Sequence, residues 1–249
     1  MIKKLSSPPS PGIGMNDILP RLYLRAEGSL ACFSRPEFSV ERASYPWITP
    51  SAARAIFEAV LWKPRICWEI RQIRVLKPIR WLAIKRNEIG ARVPMRGLEA
   101  DTRLLTDQER QQRNTLALRD VAYVIAADLH LRHEVPRDGE HDNHAKYRDM
   151  FQRRLDKGQV FHRPYLGCRE FAADVSPATG DELAIGDTLD HGPMVYDFRF
   201  PVKYDAVEKG SHRWRDGKAE PLLFDAKLVN GVVEVPTFAE VEMRQGAVP

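Results

Sequence analysis

Cysteine is scarce in this chain of 249 residues: Cys32, Cys67 and Cys168 stand far apart. An odd, sparse set does not staple a small secreted fold, so buried thiols in a reducing compartment are expected. Long hydrophobic runs are also missing. No stretch approaches the roughly 20 apolar residues that a membrane helix needs. Residues 1–14 carry two lysines but no apolar core, which is not the pattern of a secretory signal, and a cytoplasmic location is expected by default. Neither GxGxxG nor GxxxxGKS/T occurs, which argues against a dinucleotide enzyme and a P-loop NTPase. GxSxG, HExxH and CxxC are absent too, so the usual signatures of a hydrolase nucleophile or a zinc site are not there. No cofactor is expected.

Positive charge is present, and it is concentrated. From Lys63 to Arg92 there are nine Lys/Arg and two acids, Glu69 and Glu88, a local balance of +7 against +4 for the whole chain. The remainder is therefore slightly acidic. Trp62, Trp68 and Trp81 lie in or beside this stretch. Cations interleaved with flat aromatic rings suit a polyanion with stackable bases. A nucleic-acid protein is the leading reading, with RNA favoured.

The apolar pattern reads as α+β. Leu22 to Phe33 makes a first strand with a turn at Gly28. Thr49-Pro50 starts a helix, Thr as cap and Pro at the first position, with Ala52, Ala55, Ile56, Ala59 and Val60 on one face. Ile66, Trp68 and Ile70 alternate, and the phase then slips to Ile73 and Val75, which predicts a bulge near Arg71-Gln72. Ile79–Gly90 reads as one arm of a basic hairpin, and Arg92–Arg113 as its mobile part. Leu118–Leu131 is a long strand. Asp142 or Asn143 caps a second helix with the stripe Tyr147, Phe151, Leu155, closed by Gly158. Tyr165–Val175 follows as a strand. This order is the split βαβ, or ferredoxin-like (RRM-like), arrangement of many RNA-binding domains. Val195–Val202 and Leu222–Val235 are strands of a mostly β C-terminal part, with a type I′ turn at Asn230-Gly231. The expected division is a disordered tail over 1–16, a ferredoxin-like domain over 17–177 and a smaller antiparallel β domain over 178–249.

His141 and His144, beside Glu140 and Asp142, have the spacing of two metal ligands, but a solvated polar loop accounts for them and no metal site is expected. RNA carries its own nucleophile, the 2′-OH. A protein cleaves it without metal by aligning that hydroxyl, removing its proton, stabilising the phosphorane and protonating the leaving oxygen. His144, Lys146, Tyr147 and Arg148 offer those groups at a helix start that itself favours anions. Tyr147 also lies on the apolar stripe, where core packing explains it. Trp62 and Trp68 are expected in the core. Trp81, near Arg80, Lys85 and Arg86, is the stacking candidate.

The strings ERASYPWITPSAARAIFEAVLWKP (Glu41–Pro64), RVLKPIRWLAIKRNEIG (Arg74–Gly90), RDVAYVIAADLHL (Arg119–Leu131) and FHRPYLGCREFAADV (Phe161–Val175) resemble the Cas5d proteins of subtype I-C CRISPR systems. The resemblance implies an endoribonuclease that cuts CRISPR precursor RNA within each repeat, without metal, and stays on the crRNA as a subunit of the type I-C Cascade complex. It also implies double-stranded DNA binding in some members. The family trio in its best-known branch is Tyr, Lys, His. Here Leu61 stands at the tyrosine position, and Lys146 and Tyr147 at the other two. Lys146 is then expected to stabilise the phosphorane, with His144, Tyr147 or Tyr45 as acid or base and His162, beside Arg163, a further candidate. Arg42, Lys63, Lys77, Arg80, Trp81, Lys85, Arg86 and Arg163 are the expected nucleic-acid contacts. The competing expectation is a non-catalytic subunit that holds the 5′ handle of crRNA. A general double-strand binder is the third.

Overall fold

A computed structural model describes residues 21–38, 40–90, 107, 109–132, 139, 142–199 and 219–246. The tail over 1–16, most of Arg92–Arg113, and Glu140 and His141 lie outside the described residues.

One strand organises the molecule. β5 runs from Arg110 to Leu131, 22 residues, far longer than the strand expected over Leu118–Leu131. β1 (Leu22–Ala31) pairs antiparallel with one edge of its second half, Leu24 opposite Ile125. β3 (Ile66–Val75) pairs antiparallel with the other edge, Trp68 opposite Leu129. The register slips between Ile70 and Gln72, at the expected bulge. β4 (Trp81–Ile89) then continues along the same edge, pairing with the first half of β5 from Leu118 to Arg110. The handover falls at Asp120, whose φ of 53° is one of two left-handed non-glycine positions among the described residues. Both Lys77 and Arg80, from the β3–β4 connection, reach its carboxylate. β2 (Arg42–Ala43) pairs parallel with Thr115–Leu116 on the opposite edge, so this half of β5 is flanked on both sides.

β6 (Asp174–Pro177) pairs antiparallel with β1, and β9 (Val232–Glu234) with β3. The main sheet is ordered β6-β1-β5-β3-β9 and is almost wholly antiparallel. The strand expected over Tyr165–Val175 is shorter and later. Tyr165 makes only a bridge to Ala172, because residues 165–172 fold back as a tight loop. Gly167 is required there: at φ +84° a Cβ would stand 2.1 Å from the Cys32 carbonyl oxygen.

α1 (Pro50–Val60) starts as read, with the Thr49 hydroxyl accepting from the Ala52 amide. α2 (His144–Asp156) is capped by Asn143, whose side-chain oxygen accepts from the Lys146 amide at 3.0 Å. Tyr147, Phe151 and Leu155 are buried as the 3.6-residue period requires. Phe57 of α1 stacks on Phe151 of α2 at 5.2 Å, and Trp68 of β3 packs on both. Each such ring contributes about 1.5–3 kcal/mol of burial, so this aromatic contact fixes the two helices on the sheet. β5 is buried on both faces from Val121 to Ala127. Alternation predicts one face only. The second carries Ala122, Val124 and Ala126, small enough to be covered closely.

β7 (Leu189–Arg199) and β8 (Glu220–Leu228) form a separate two-stranded sheet. Its core is continuous with the rest. β7 ends at Arg199, and residues 200–202 of the expected strand lie outside the described ones. Asn230 (φ 49°) and Gly231 (φ 75°) make the expected left-handed turn. The C-terminal part is less purely β than expected, since α3 spans Phe238–Gly246. Its signal was Thr237-x-x-Glu240: the Thr237 amide donates to the Glu240 carboxylate and the Glu240 amide to the Thr237 hydroxyl, a capping box.

Candidate functional site

The start of α2 is built on a buried ion pair. Asp142 does not cap the helix; it turns inward, fully buried at its side chain, and accepts from Arg65 Nε at 2.7 Å. Arg65 also donates to the Arg132 carbonyl, tying the start of β3 to the end of β5. The second Asp142 oxygen accepts from the Tyr147 hydroxyl at 2.6 Å. Arg65 just before β3, Asp142 just before α2 and Tyr147 within α2 thus lock the first turn of α2 against the sheet end. Sequence reasoning missed Arg65 and Asp142, since an arginine after Pro64 and an aspartate before a helix both read as surface.

That lock includes Tyr147. Its side chain is buried and its hydroxyl donates to Asp142, as a framework residue's would. His144 and Lys146, on the same turn, are half exposed. The Lys146 ammonium lies 5.3 Å from the Tyr147 ring centroid, within cation–π reach. Leu61, at the tyrosine position of the resemblance, is fully buried, and its carbonyl accepts from Trp68 Nε1 at 3.0 Å. Tyr45 does not join this group. It is buried beyond the other end of α1, about 16 Å of helix away, with Arg35 over its ring at 5.2 Å and His191 against its edge. Burial pushes its phenol above the usual range, which opposes use as a base.

A second strip of residues reaches the same corner. The Phe161 amide donates to the Ala59 carbonyl at 2.7 Å, and Arg154 donates to the Val60 carbonyl at 2.9 Å. With the Trp68 bond to Leu61, the C-terminal carbonyls of α1 are satisfied from outside the helix. His162 and Arg163 follow Phe161 and are exposed. Trp62 is 42% exposed, which corrects its expected core placement: the helix stops at Val60, so Trp62 leaves the apolar face. Trp68 is buried as expected.

The basic hairpin lies at the opposite end of the sheet. From Leu131, beside Arg65, to Leu118, opposite Trp81, β5 extends about 40 Å. Lys146 and the hairpin are therefore remote from one another. Most of the expected contacts there are neutralised. Arg86, only 17% exposed, pairs with Glu88 and Glu170. Arg42 lies 3.2 Å from Glu88 and 3.6 Å from Glu170, and Lys77 lies 2.7 Å from Asp120. Lys85 shares the exposed face of β4 with Trp81, which is 42% exposed. Beneath the hairpin, the Cys32 side chain and the Arg42 guanidinium bring the Cys168 thiol down to about 6, while the bond to Cys168 and burial push Cys32 up. All three cysteines are buried and unpaired.

Glu69, Asp128 and His130 bring potential metal-ligating atoms within 4.8 Å of one another on the sheet face away from Trp68. They are already committed. His130 Nε2 lies 3.1 Å from Glu69, the Phe238 amide donates to Glu69, and Arg21 and Arg71 flank Asp128. Two arginines at the carboxylates make this an ion-pair network.

Comparison with known proteins gives the family. A family model described as CRISPR-associated protein, of the Cas5d type, matches residues 21–236. A CRISPR pre-crRNA endoribonuclease Cas5d of Thermus thermophilus is 44% identical over 220 residues, 87% of this chain and 91% of its own. One of Mannheimia succiniciproducens is 39% identical over 240 residues, 90% of this chain and 99% of its own. A crystal structure of a CRISPR-associated protein shares the fold with a TM-score of 0.59 at 19% identity, covering 89% of this chain and 94% of its own. A functionally uncharacterised protein of Streptococcus mutans does so with a TM-score of 0.58, at the same identity and coverage. The chain belongs to the Cas5d family of CRISPR-associated proteins.

Proposed function

We propose that this chain is an endoribonuclease that cuts CRISPR precursor RNA within the repeat, by attack of the 2′-OH and without a metal, and then remains a subunit of the type I-C crRNA surveillance complex in the cytoplasm. The observation that carries the reading is Lys146. It stands half exposed on the capped first turn of α2, held by the buried Arg65–Asp142–Tyr147 lock, in a chain that matches two named pre-crRNA endoribonucleases over most of its length. A fixed ammonium beside a helix N-terminus is suited to a phosphorane, whose negative charge grows in the transition state. His144, on the same turn, and His162, at the α1 corner, are the imidazoles placed to serve as acid and base. The order β6-β1-β5-β3, with a helix after β1 and another after β5, supports a ferredoxin-like reading of the RNA-binding part.

The test is single-turnover cleavage of repeat RNA in EDTA. The wild type should give a discrete product ending in a 2′,3′-cyclic phosphate, and Lys146→Ala should lower the rate about 100-fold or more. A 2′-deoxy substitution at the scissile nucleotide should abolish cutting. Wild-type rates from Lys146→Ala, or cutting of the deoxy substrate, would remove the mechanism. A second reading, a non-catalytic subunit that holds the crRNA 5′ handle, is favoured by Leu61 and Tyr147: both occupy positions of the family trio, and both are buried. Intact RNA at saturating protein would establish it.

A further inference from the structure

The corner where α1 ends, which also holds His162, carries two exposed rings with no part in the proposed chemistry or the basic hairpin, Trp62 and Phe161, the latter edge-on to His162 at 6.0 Å. Trp62 is 42% exposed and Phe161 72%, with exposed Val160 beside them. Both aromatic residues sit on fixed main chain. The Phe161 amide is bound to Ala59, and the carbonyls of Val60 and Leu61, just before Trp62, accept from Arg154 and Trp68. A rigid backbone thus holds two large rings in water, at a standing cost in exposed apolar area.

The two strips of chain that carry them hold basic residues and no acid. Residues 59–68 and 157–169 contain no Asp or Glu. Lys63, Lys157 and Arg163 lie in these strips and make no ion pair with another described residue. We propose that Trp62 and Phe161 form a stacking platform for unpaired nucleotides of the RNA, with Lys63, Lys157 and Arg163 contacting their phosphates. This rests on the reading that the ligand is repeat RNA, and deepens it. Bases inside a helix are already stacked on one another; only unpaired bases offer free faces to aromatic rings. A docked protein fits less well, because lysine is depleted from the core of protein interfaces, and here cations surround the rings. The corner adjoins Arg65, and so the Lys146 turn, which places the platform beside the proposed cutting point and away from the hairpin.

The experiment compares two RNAs, the repeat stem-loop alone and the same stem-loop with its single-stranded flanks, at fixed salt. The Trp62→Ala/Phe161→Ala double variant should bind the flanked RNA at least ten-fold more weakly than wild type, and bind the bare stem-loop as wild type does. Trp62→Phe/Phe161→Tyr should restore the flanked affinity, whereas Trp62→Leu/Phe161→Leu should not. Unchanged affinity of the double variant for flanked RNA overturns the platform while leaving the ribonuclease reading intact. An equal loss on both RNAs also overturns it, as does normal flanked-RNA binding combined with failure to assemble with partner subunits. Wild-type protein that binds neither RNA defeats the functional reading, and the platform with it. Both side chains being exposed, the variants should melt with the wild type.

Discussion

The hairpin and the α1–α2 corner are both basic and both show exposed tryptophan, yet they handle their charge in opposite ways. In the hairpin, Arg86, Arg42 and Arg113 surround Glu88, with Glu170 close to the first two, and Lys77 and Arg80 share Asp120. In the corner, Lys63, Lys157 and Arg163 make no ion pair with another described residue, and the buried pair Arg65–Asp142 is structural. A count of Lys and Arg along the chain marks the hairpin as the stronger patch. Counting acids in space as well as along the chain reverses the ranking.

The largest expected effect comes from breaking the lock beneath the corner. Asp142→Ala removes the buried carboxylate that both Arg65 and Tyr147 bind, which should cost about 3–5 kcal/mol in urea unfolding. Tyr147→Phe keeps the pair and the ring but removes one bond to a buried carboxylate, for about 1.5–3 kcal/mol. If Tyr147 is framework, this variant should cleave at the wild-type rate wherever it remains folded. A large loss of cleavage without a loss of stability would return Tyr147 to the chemistry.

Much of this architecture was legible in the sequence. The Thr49-Pro50 start, the Tyr147–Phe151–Leu155 stripe, the slip after Ile70 and the Asn230-Gly231 turn are each written in a few adjacent residues, and each formed as read. What escaped depends on residues distant in sequence. Arg65 and Asp142 are 77 positions apart, and neither announces the other. Glu170 neutralises Arg86 from 84 positions away. Trp62 looked buried because the helical period was extended past Val60; Leu61 is extended instead, with φ −142°, and turns the next side chain outward. Tyr45 and Lys146 are both placed by local pattern, but only the fold shows a helix between them.

The charge contrast predicts different salt dependences. Replacing Lys63, Lys157 and Arg163 together by Gln should make the salt dependence of RNA affinity shallower by about 2 in log–log slope, at roughly 0.7 per phosphate contact on single strands. Replacing Arg86 and Arg42 by Gln should change the slope by less than about 1, because their charge is largely spent on Glu88 and Glu170. Charge reversal at Arg80 and Lys85 tests the rest of the hairpin. Equal slopes for the two regions would erase the distinction.

The smallest effect probes the acids on the far face of the sheet. At this end of the sheet Glu69 and Asp128 sit on the face away from Trp68. Trp68 turns toward the helices, while Glu69 pairs with Asp128 across the strands and binds His130 and the Phe238 amide at the start of α3. Burial alone would raise the Glu69 carboxyl. The His130 and Phe238 bonds and the nearby Arg71 outweigh it and hold the carboxyl below its ordinary 4.5. A carboxyl lowered by folding contributes stability above its unfolded value, and that contribution is lost as the pH falls through the folded value. Glu69→Gln should therefore cost about 1 kcal/mol at pH 7, read as a lower melting temperature, and the gap to wild type should narrow as the pH falls below 4.5 and through the folded value. RNA affinity at pH 7 should not move, since these carboxylates face away from the platform. A variant that binds RNA more tightly would mean that Glu69 opposes the phosphates, and that the separation of charge between the two faces is incomplete.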